Sequence, residues 1–117
     1  MDGGSGMKES AMEIRSESSG RDLTLSLRGE LDHHAARDTV AQLEQALDAA
    51  LPLRLTLDFS GVTFMDSSGI AVVMHALRRM TSFGGTLTLR HVPAQAGKVF
   101  DAAGISRLVA IQKEGTT

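Results

Sequence analysis

A chain of 117 residues has room for one domain with one core, and a composition of 42% hydrophobic and 22% charged residues is that of a globular protein. The formal net charge of -2 offers no basic footprint for nucleic acid, and the absence of cysteine excludes disulfides and thiol catalysis and fits a reducing, cytoplasmic setting. No apolar run approaches the roughly 18 residues of a membrane span, and the N-terminus lacks the apolar core of a signal peptide.

Met1 to Ser10 (MDGGSGMKES) is rich in Gly and Ser without any period, and reads as a flexible arm ahead of a domain over residues 11–113, with 114–117 as a tail. Ala11 to Arg15 is a short, weak strand pattern. Asp22 to Arg28 alternates clearly, with Leu23, Leu25 and Leu27 on one side and Thr24 and Ser26 on the other. Ser18-Ser19-Gly20 between them predicts an antiparallel hairpin. Asp32 is a suitable N-cap for a helix running to about Ala50, whose stripe of Ala36, Val40, Leu43 and Leu47 would pack on a sheet, and Pro52 stops it. Leu53 to Asp58 alternates again, with Phe59-Ser60-Gly61 read as a turn. A second helix is expected from about Ser68 to Met80, with Ile70, Val73, Leu77 and Met80 as its apolar stripe and Gly84-Gly85 as its end. Thr86 to His91 is the next alternating strand. Pro93 opens a third helix with a stripe of Ala96, Val99, Phe100 and Ala103, Gly104 closes it, and Leu108 to Ile111 is a last short strand.

Strands alternating with helices at this spacing imply parallel neighbours joined by right-handed crossovers. The expected fold is therefore α/β: one domain with a mixed four- to five-stranded sheet covered by helices. The segments that follow strands 22–28, 53–58 and 86–91 would share one edge of that sheet. Asp32-His33-His34, Asp66-Ser67-Ser68 and His91 would converge there, where open α/β sheets place their ligand sites.

Phe64-Met65-Asp66-Ser67-Ser68-Gly69 is the most informative stretch, because it joins a strand pattern to a helix pattern and carries two hydroxyls and a carboxylate. A helix start favours negative charge, so a serine there is well placed either for phosphorylation or simply as a cap. Other chemistries fit poorly. Adjacent His33 and His34 cannot share a helical face and have no ligand partners at metal-binding spacing. Ser67 lacks the glycine pattern of a nucleophile elbow. Gly84-Gly85 follows a helix and precedes a strand, the reverse of a phosphate-binding loop. No cofactor is implied and the chain does not read as an enzyme.

Gly29-Glu30-Leu31-Asp32-His33-His34 and the run from Leu57 to Gly69 (LDFSGVTFMDSSG), extended through Gly84-Gly85 and Phe100 to Gly104, resemble the STAS domain, the family of sulfate transporters and anti-sigma factor antagonists. The likeness is to bacterial anti-anti-sigma factors, especially the antagonist of the sporulation stage II anti-sigma factor. It implies a partner-switching protein of the cytoplasm, without catalysis of its own. Ser67 matches the phosphoacceptor serine, Ser68 the neighbouring hydroxyl and Asp32 an acidic residue beside the phosphosite. The resemblance further implies a partner surface holding Asp32, His33, Asp66, Ser68, Gly69 and Ile70, an anti-sigma factor with serine kinase activity, and a serine phosphatase that resets the switch. Ala71 stands where relatives commonly carry glycine, a methyl that touches how closely a partner packs. The alternative within the same family is a scaffold or transport accessory that works without phosphorylation. Weak nucleotide binding at the same edge is a third reading.

Overall fold

The computed structural model describes residues 12–115; the arm expected over 1–10, residue 11 and residues 116–117 of the tail lie outside them. Five strands form one sheet in sequential order: β1 (Glu13–Ser19), β2 (Asp22–Leu31), β3 (Arg54–Met65), β4 (Thr86–Val92) and β5 (Ala110–Lys113). β1 is antiparallel to β2, and every later pair is parallel. Three helices make the crossovers: α1 (Ala36–Ala50), α2 (Ser68–Ser82) and α3 (Ala94–Ala103), followed by a single 3-10 turn at Ile105–Arg107. Right-handed crossovers in a sheet of sequential order place all three helices on one face. The expected α/β architecture with a mixed sheet is thus what the chain adopts.

The alternation read in the sequence becomes rows across the sheet. Leu23, Leu55 and Leu87 are in register, as are Leu25, Leu57 and Leu89, and all six are buried under the helices. The intervening rows, Thr24-Thr56-Thr88 and Ser26-Asp58-Arg90, are half-buried on the opposite face. Leucine therefore supplies burial on one side, while β-branched threonine suits a solvated pleated surface on the other. Phe59 of β3 meets Phe100 of α3 edge to face, ring centroids 5.5 Å apart, joining the sheet to the last helix.

Four expectations are corrected. Phe59-Ser60-Gly61 is not a turn; β3 runs through it to Met65, and Phe59 is fully buried because it keeps the inward parity of Leu55 and Leu57. β1 is longer than the weak Ala11–Arg15 pattern indicated and reaches Ser19, each residue paired with β2. α1 starts at Ala36 rather than directly after Asp32, because a turn intervenes in which the Asp32 carbonyl accepts from the N–H groups of Ala35 and Ala36. The buried stripe of α2 is Gly69, Val72, Val73, Ala76 and Met80, turned from the expected one so that Ile70 and Leu77 sit half-buried at its margin. The expected end of α2 holds: the Gly85 N–H donates to the Met80 carbonyl at 2.8 Å, the six-to-one bond of a glycine cap. Arg79 near that end pairs with Glu44 and Asp48 of α1, and Glu44 also meets His75, so a charged ladder ties the first two helices together.

Candidate functional site

The site is prepared at Asp58, where regular pairing stops. From Ser26 opposite Asp58 the register passes to Arg28 opposite Gly61, and from Gly29 opposite Val62 to Glu30 opposite Phe64. Each step inserts one extra residue into β3, two β-bulges that bend the strand and re-aim its end. Gly61 is required at the first of them: a Cβ there would lie 2.8 Å from the Leu27 carbonyl oxygen. β4 carries a matching irregularity between Leu89 and Val92, with His91 in the left-handed region at φ 56. One carboxylate spans both disruptions. Asp58 accepts hydrogen bonds from the Ser60 N–H at 2.9 Å, from His91 Nδ1 at 3.3 Å and from Arg90 Nη2 at 3.4 Å. Burial pushes the Asp58 carboxyl up, but those hydrogen bonds outweigh it and hold the group below its usual range.

Beyond Asp58, β3 has no register partner in β4. Gln95, in the first turn of α3, takes the place of the missing strand. Its Oε1 accepts from the Met65 N–H and its Nε2 donates to the Met65 carbonyl, both at 2.8 Å. On the other side the Asp66 N–H reaches the Leu31 carbonyl of β2 at 3.3 Å. The last residues of β3 are thereby fixed from both flanks, by the β2 ladder on one side and by Gln95 where the β4 ladder has ended.

Asp66 then ties the junction together. Its Oδ1 accepts from the Ser68 N–H at 2.8 Å and caps the start of α2. Its Oδ2 accepts from the His33 N–H at 3.2 Å, joining the β2–α1 turn to the β3–α2 turn. The Ser68 N–H is the main cause that keeps the Asp66 carboxyl below the usual range; desolvation opposes it, and the Ser68 hydroxyl, then the backbone and ring of His33, add to the lowering. Asp32 does the corresponding task one turn earlier, its Oδ1 accepting from the N–H groups of His34 and Ala35 at 3.0 and 3.1 Å.

Ser67 is different from its neighbours. It occupies the N-cap position of α2 with helical φ and ψ of -63° and -14°, makes no side-chain capping bond and is exposed. The cap is supplied by Asp66, and the Ser67 hydroxyl is left to face solvent. Gly69 is buried, and a Cβ there would come within 2.4 Å of the Met65 sulfur, so glycine lets the helix start lie flat on Met65. Ile70 is half-buried behind it and Ala71 is exposed.

Asp32, His33, Asp66, Ser67, Ser68, Gly69 and Ile70 are thus gathered at one junction. His91 is not among them: its ring turns back to Asp58. Two contributors were not found in the sequence. Gln95 carries no periodic signal, and only its position beside Pro93 at a helix start marks it. Phe64, 44% exposed next to the junction, breaks the inward pattern of β3 and could have been found by that parity. A concavity of about 650 Å³ lies elsewhere, between Met12–Arg15, Ser26–Arg28, Gln42 and the Ser60-Gly61 bulge.

Residues 14–110 match the family profile described as Mlab, STAS domain. The chain belongs to the STAS family. It is 30% identical over 83 residues, 71% of its own length and 71% of the relative's, to an anti-sigma F factor antagonist of Lysinibacillus sphaericus. The STAS domain also superposes on the solved anti-sigma factor antagonist SpoIIAA in its unphosphorylated form, with TM-score 0.72 and 26% identity over 85% of this chain and 87% of that one. SpoIIAA of Bacillus in the phosphorylated form gives TM-score 0.65 and 26% identity over 85% and 90% of the two chains. Among the described residues no helix is long and apolar enough to cross a membrane.

Proposed function

We propose that this STAS domain is an anti-sigma factor antagonist whose choice of partner is switched by phosphorylation of Ser67. In this reading the unphosphorylated form binds an anti-sigma factor that is also a serine kinase, through the surface around Asp32, His33, Asp66, Ser68 and Ile70, and so frees a sigma factor. A serine phosphatase restores the binding form. The relatives named as anti-sigma factor antagonists support the partner class, and a related chain known in both phosphorylated and unphosphorylated forms supports the switch.

The observation that carries the reading is the exposed, uncapped Ser67 hydroxyl beside an Asp66 carboxylate whose two oxygens are both engaged. Modification of such a hydroxyl removes no bond from the fold. A phosphoserine brings about -1.5 to -2 charge and three acceptor oxygens, set beside an Asp66 carboxylate that is already ionised at neutral pH. The fold tolerates that charge at its own surface, whereas a partner surface fitted to a neutral hydroxyl must desolvate it. A penalty of about 3 kcal/mol corresponds to a roughly hundredfold loss of affinity. Gly69 serves this surface indirectly, by letting α2 begin close against Met65.

Two measurements test the proposal. Mass spectrometry after incubation with ATP and an active lysate of the source organism should find one phosphate on the wild type and none on Ser67→Ala. Calorimetric titration of the anti-sigma factor should find Ser67→Ala binding like the unmodified protein and Ser67→Asp binding at least tenfold more weakly. Equal affinities for the two variants would remove the electrostatic switch and leave a scaffold that works without phosphorylation.

A further inference from the structure

A phosphate on Ser67 does not find free donors at the start of its own helix. The Ser68 N–H is held by Asp66 Oδ1, the Gly69 N–H by the Asp66 carbonyl at 3.0 Å, and the Ile70 N–H by the Ser67 carbonyl at 3.0 Å. The usual stabilisation of an anion by a helix N-terminus is therefore largely spoken for. What faces the junction instead is an imidazole. His33 Nδ1 lies 3.8 Å from Asp66 Oδ2, its backbone N–H is bonded to the same oxygen, and its side chain is 71% exposed. The His34 ring lies against it, centroids 3.9 Å apart, and Asp32 holds the turn that carries both rings. Among the described residues, the charged and titratable groups in contact with His33 or its turn are Asp66 from the β3–α2 junction, and Asp32 and His34 from its own turn. Arg54, Arg79, Arg90 and Lys113 are paired with carboxylates at other places.

We propose that His33 is the in-chain counter-charge of phosphorylated Ser67: phosphorylation draws a proton onto His33, and a protonated His33 in turn holds the phosphate in its dianionic form. The proposal rests on the reading of Ser67 as the phosphoacceptor and adds a second titrating group to that switch. Unmodified, the junction has a single carboxylate, Asp66, in contact with the His33 ring. Phosphorylation adds about -1.5 to -2 charge beside Asp66, and added negative charge near an imidazole favours its protonated form. Linkage makes the titrations reciprocal: whatever the second ionisation of the phosphate does to the proton affinity of His33, protonated His33 does to the proton affinity of the phosphate. Phosphorylation is then least negative in its net effect at mildly acid pH, so partner release should be weaker near pH 6 than near pH 8.

The test uses the full chain with phosphoserine installed at position 67 during translation, so it does not depend on any kinase recognising Ser67. Histidine ring signals and the phosphorus signal are followed by NMR from pH 5 to 8.5, in the unmodified and phosphorylated proteins and in His33→Gln. The titration midpoint of His33 should rise by about half a unit to one unit on phosphorylation, as expected for two added charges screened by water at about 5–10 Å. The phosphate midpoint should be lower with His33 than with His33→Gln by about half that amount, because the imidazolium contributes one charge where the phosphate contributes about two. His34→Gln should leave most of that difference in place. A phosphate midpoint that is the same with His33 and with His33→Gln overturns the proposal, and so does a difference that follows His34. Failure of a cellular kinase to modify Ser67 would count against the functional reading alone, because the coupling is measured on installed phosphate.

Discussion

On one side of Asp58 the sheet is regular: β2, β3 and β4 keep register through three successive inward leucine and outward threonine rows, and main-chain ladders hold them. On the other side β3 carries two extra residues and loses β4; β2 still pairs with it on one flank, while on the other the side chain of Gln95 takes the place of the missing strand. The two halves share a strand but not a mode of stabilisation. The regular half buries leucines in register under the helices. The bulged half also buries Phe59, Val62 and Met65, and in addition it places Ser67, Asp66 and His33 at one exposed junction. Bulges beside a functional edge re-aim a strand without altering the sheet beneath it. Stability and recognition are thus divided along a single strand, and the division is measurable.

The largest effect is expected in the regular half. Leu57, 1% exposed at the centre of β3, should lose about 3 kcal/mol of stability on replacement by alanine, within the range for a buried leucine. Urea unfolding monitored by circular dichroism measures it, a suitable probe because the chain has neither Trp nor Tyr. A loss below about 1 kcal/mol would mean that this half does not hold the core as the rows imply.

Asp58 stands at the boundary and should give a smaller effect with a distinct pH signature. Removing its charge in Asp58→Asn weakens bonds to Ser60, Arg90 and His91, and about 1–2 kcal/mol is expected at pH 7. Because its carboxyl is depressed in the folded state, its contribution is fully present above the unfolded value of about 3.9 and is lost as pH falls through the folded value. Asp66 is depressed in the same direction and is retained in the variant, so the difference between the two proteins isolates Asp58. Between pH 5 and pH 2.5 the wild type should lose more stability than Asp58→Asn. Parallel acid profiles would show that the boundary is held by backbone pairing alone.

How far the sequence revealed these two halves follows the same division. In the regular half, Leu23-Leu25-Leu27, Leu55-Leu57 and Leu87-Leu89 announce strand, face and register through alternation alone. The bulged half uses the residues of a turn. Asp58 bonding the N–H two residues on and a glycine at position 61 are turn chemistry, and here they serve a bulge inside a continuing strand. The parity of Phe59 with Leu57 was the only contrary sign. His91 was expected at the junction because it ends a parallel strand, but β3 runs on to Met65 while β4 kinks at His91, leaving that ring level with Asp58. The Asp-Ser-Ser motif located the helix start correctly, and the division of labour within it, Asp66 capping and Ser67 free, needed three-dimensional geometry. Nothing in the order of residues marks Gln95, because its role is to replace a strand that pattern reasoning assumes to be present.

Gln95 therefore offers the finest test of the comparison. Its two bonds to Met65 are part-buried, but Gln95 itself is exposed and its removal admits water to the Met65 backbone, so Gln95→Ala should lower stability by only about 1 kcal/mol. Its effect on recognition should be larger in proportion. Without the clasp, Met65 keeps only its β2 side, and the turn carrying Asp66 and Ser67 gains freedom that a partner must remove on binding. Affinity for the anti-sigma factor should fall about tenfold, equivalent to about 1.4 kcal/mol, while Leu57→Ala, measured where it is still folded, should leave affinity nearly unchanged. Gln95→Glu sharpens the contrast, because a carboxylate still accepts from the Met65 N–H but cannot donate to its carbonyl. If Gln95→Ala loses as much stability as Leu57→Ala, or if both variants lose affinity equally, the two halves act as one unit and the side-chain clasp is part of the core rather than a support for the site.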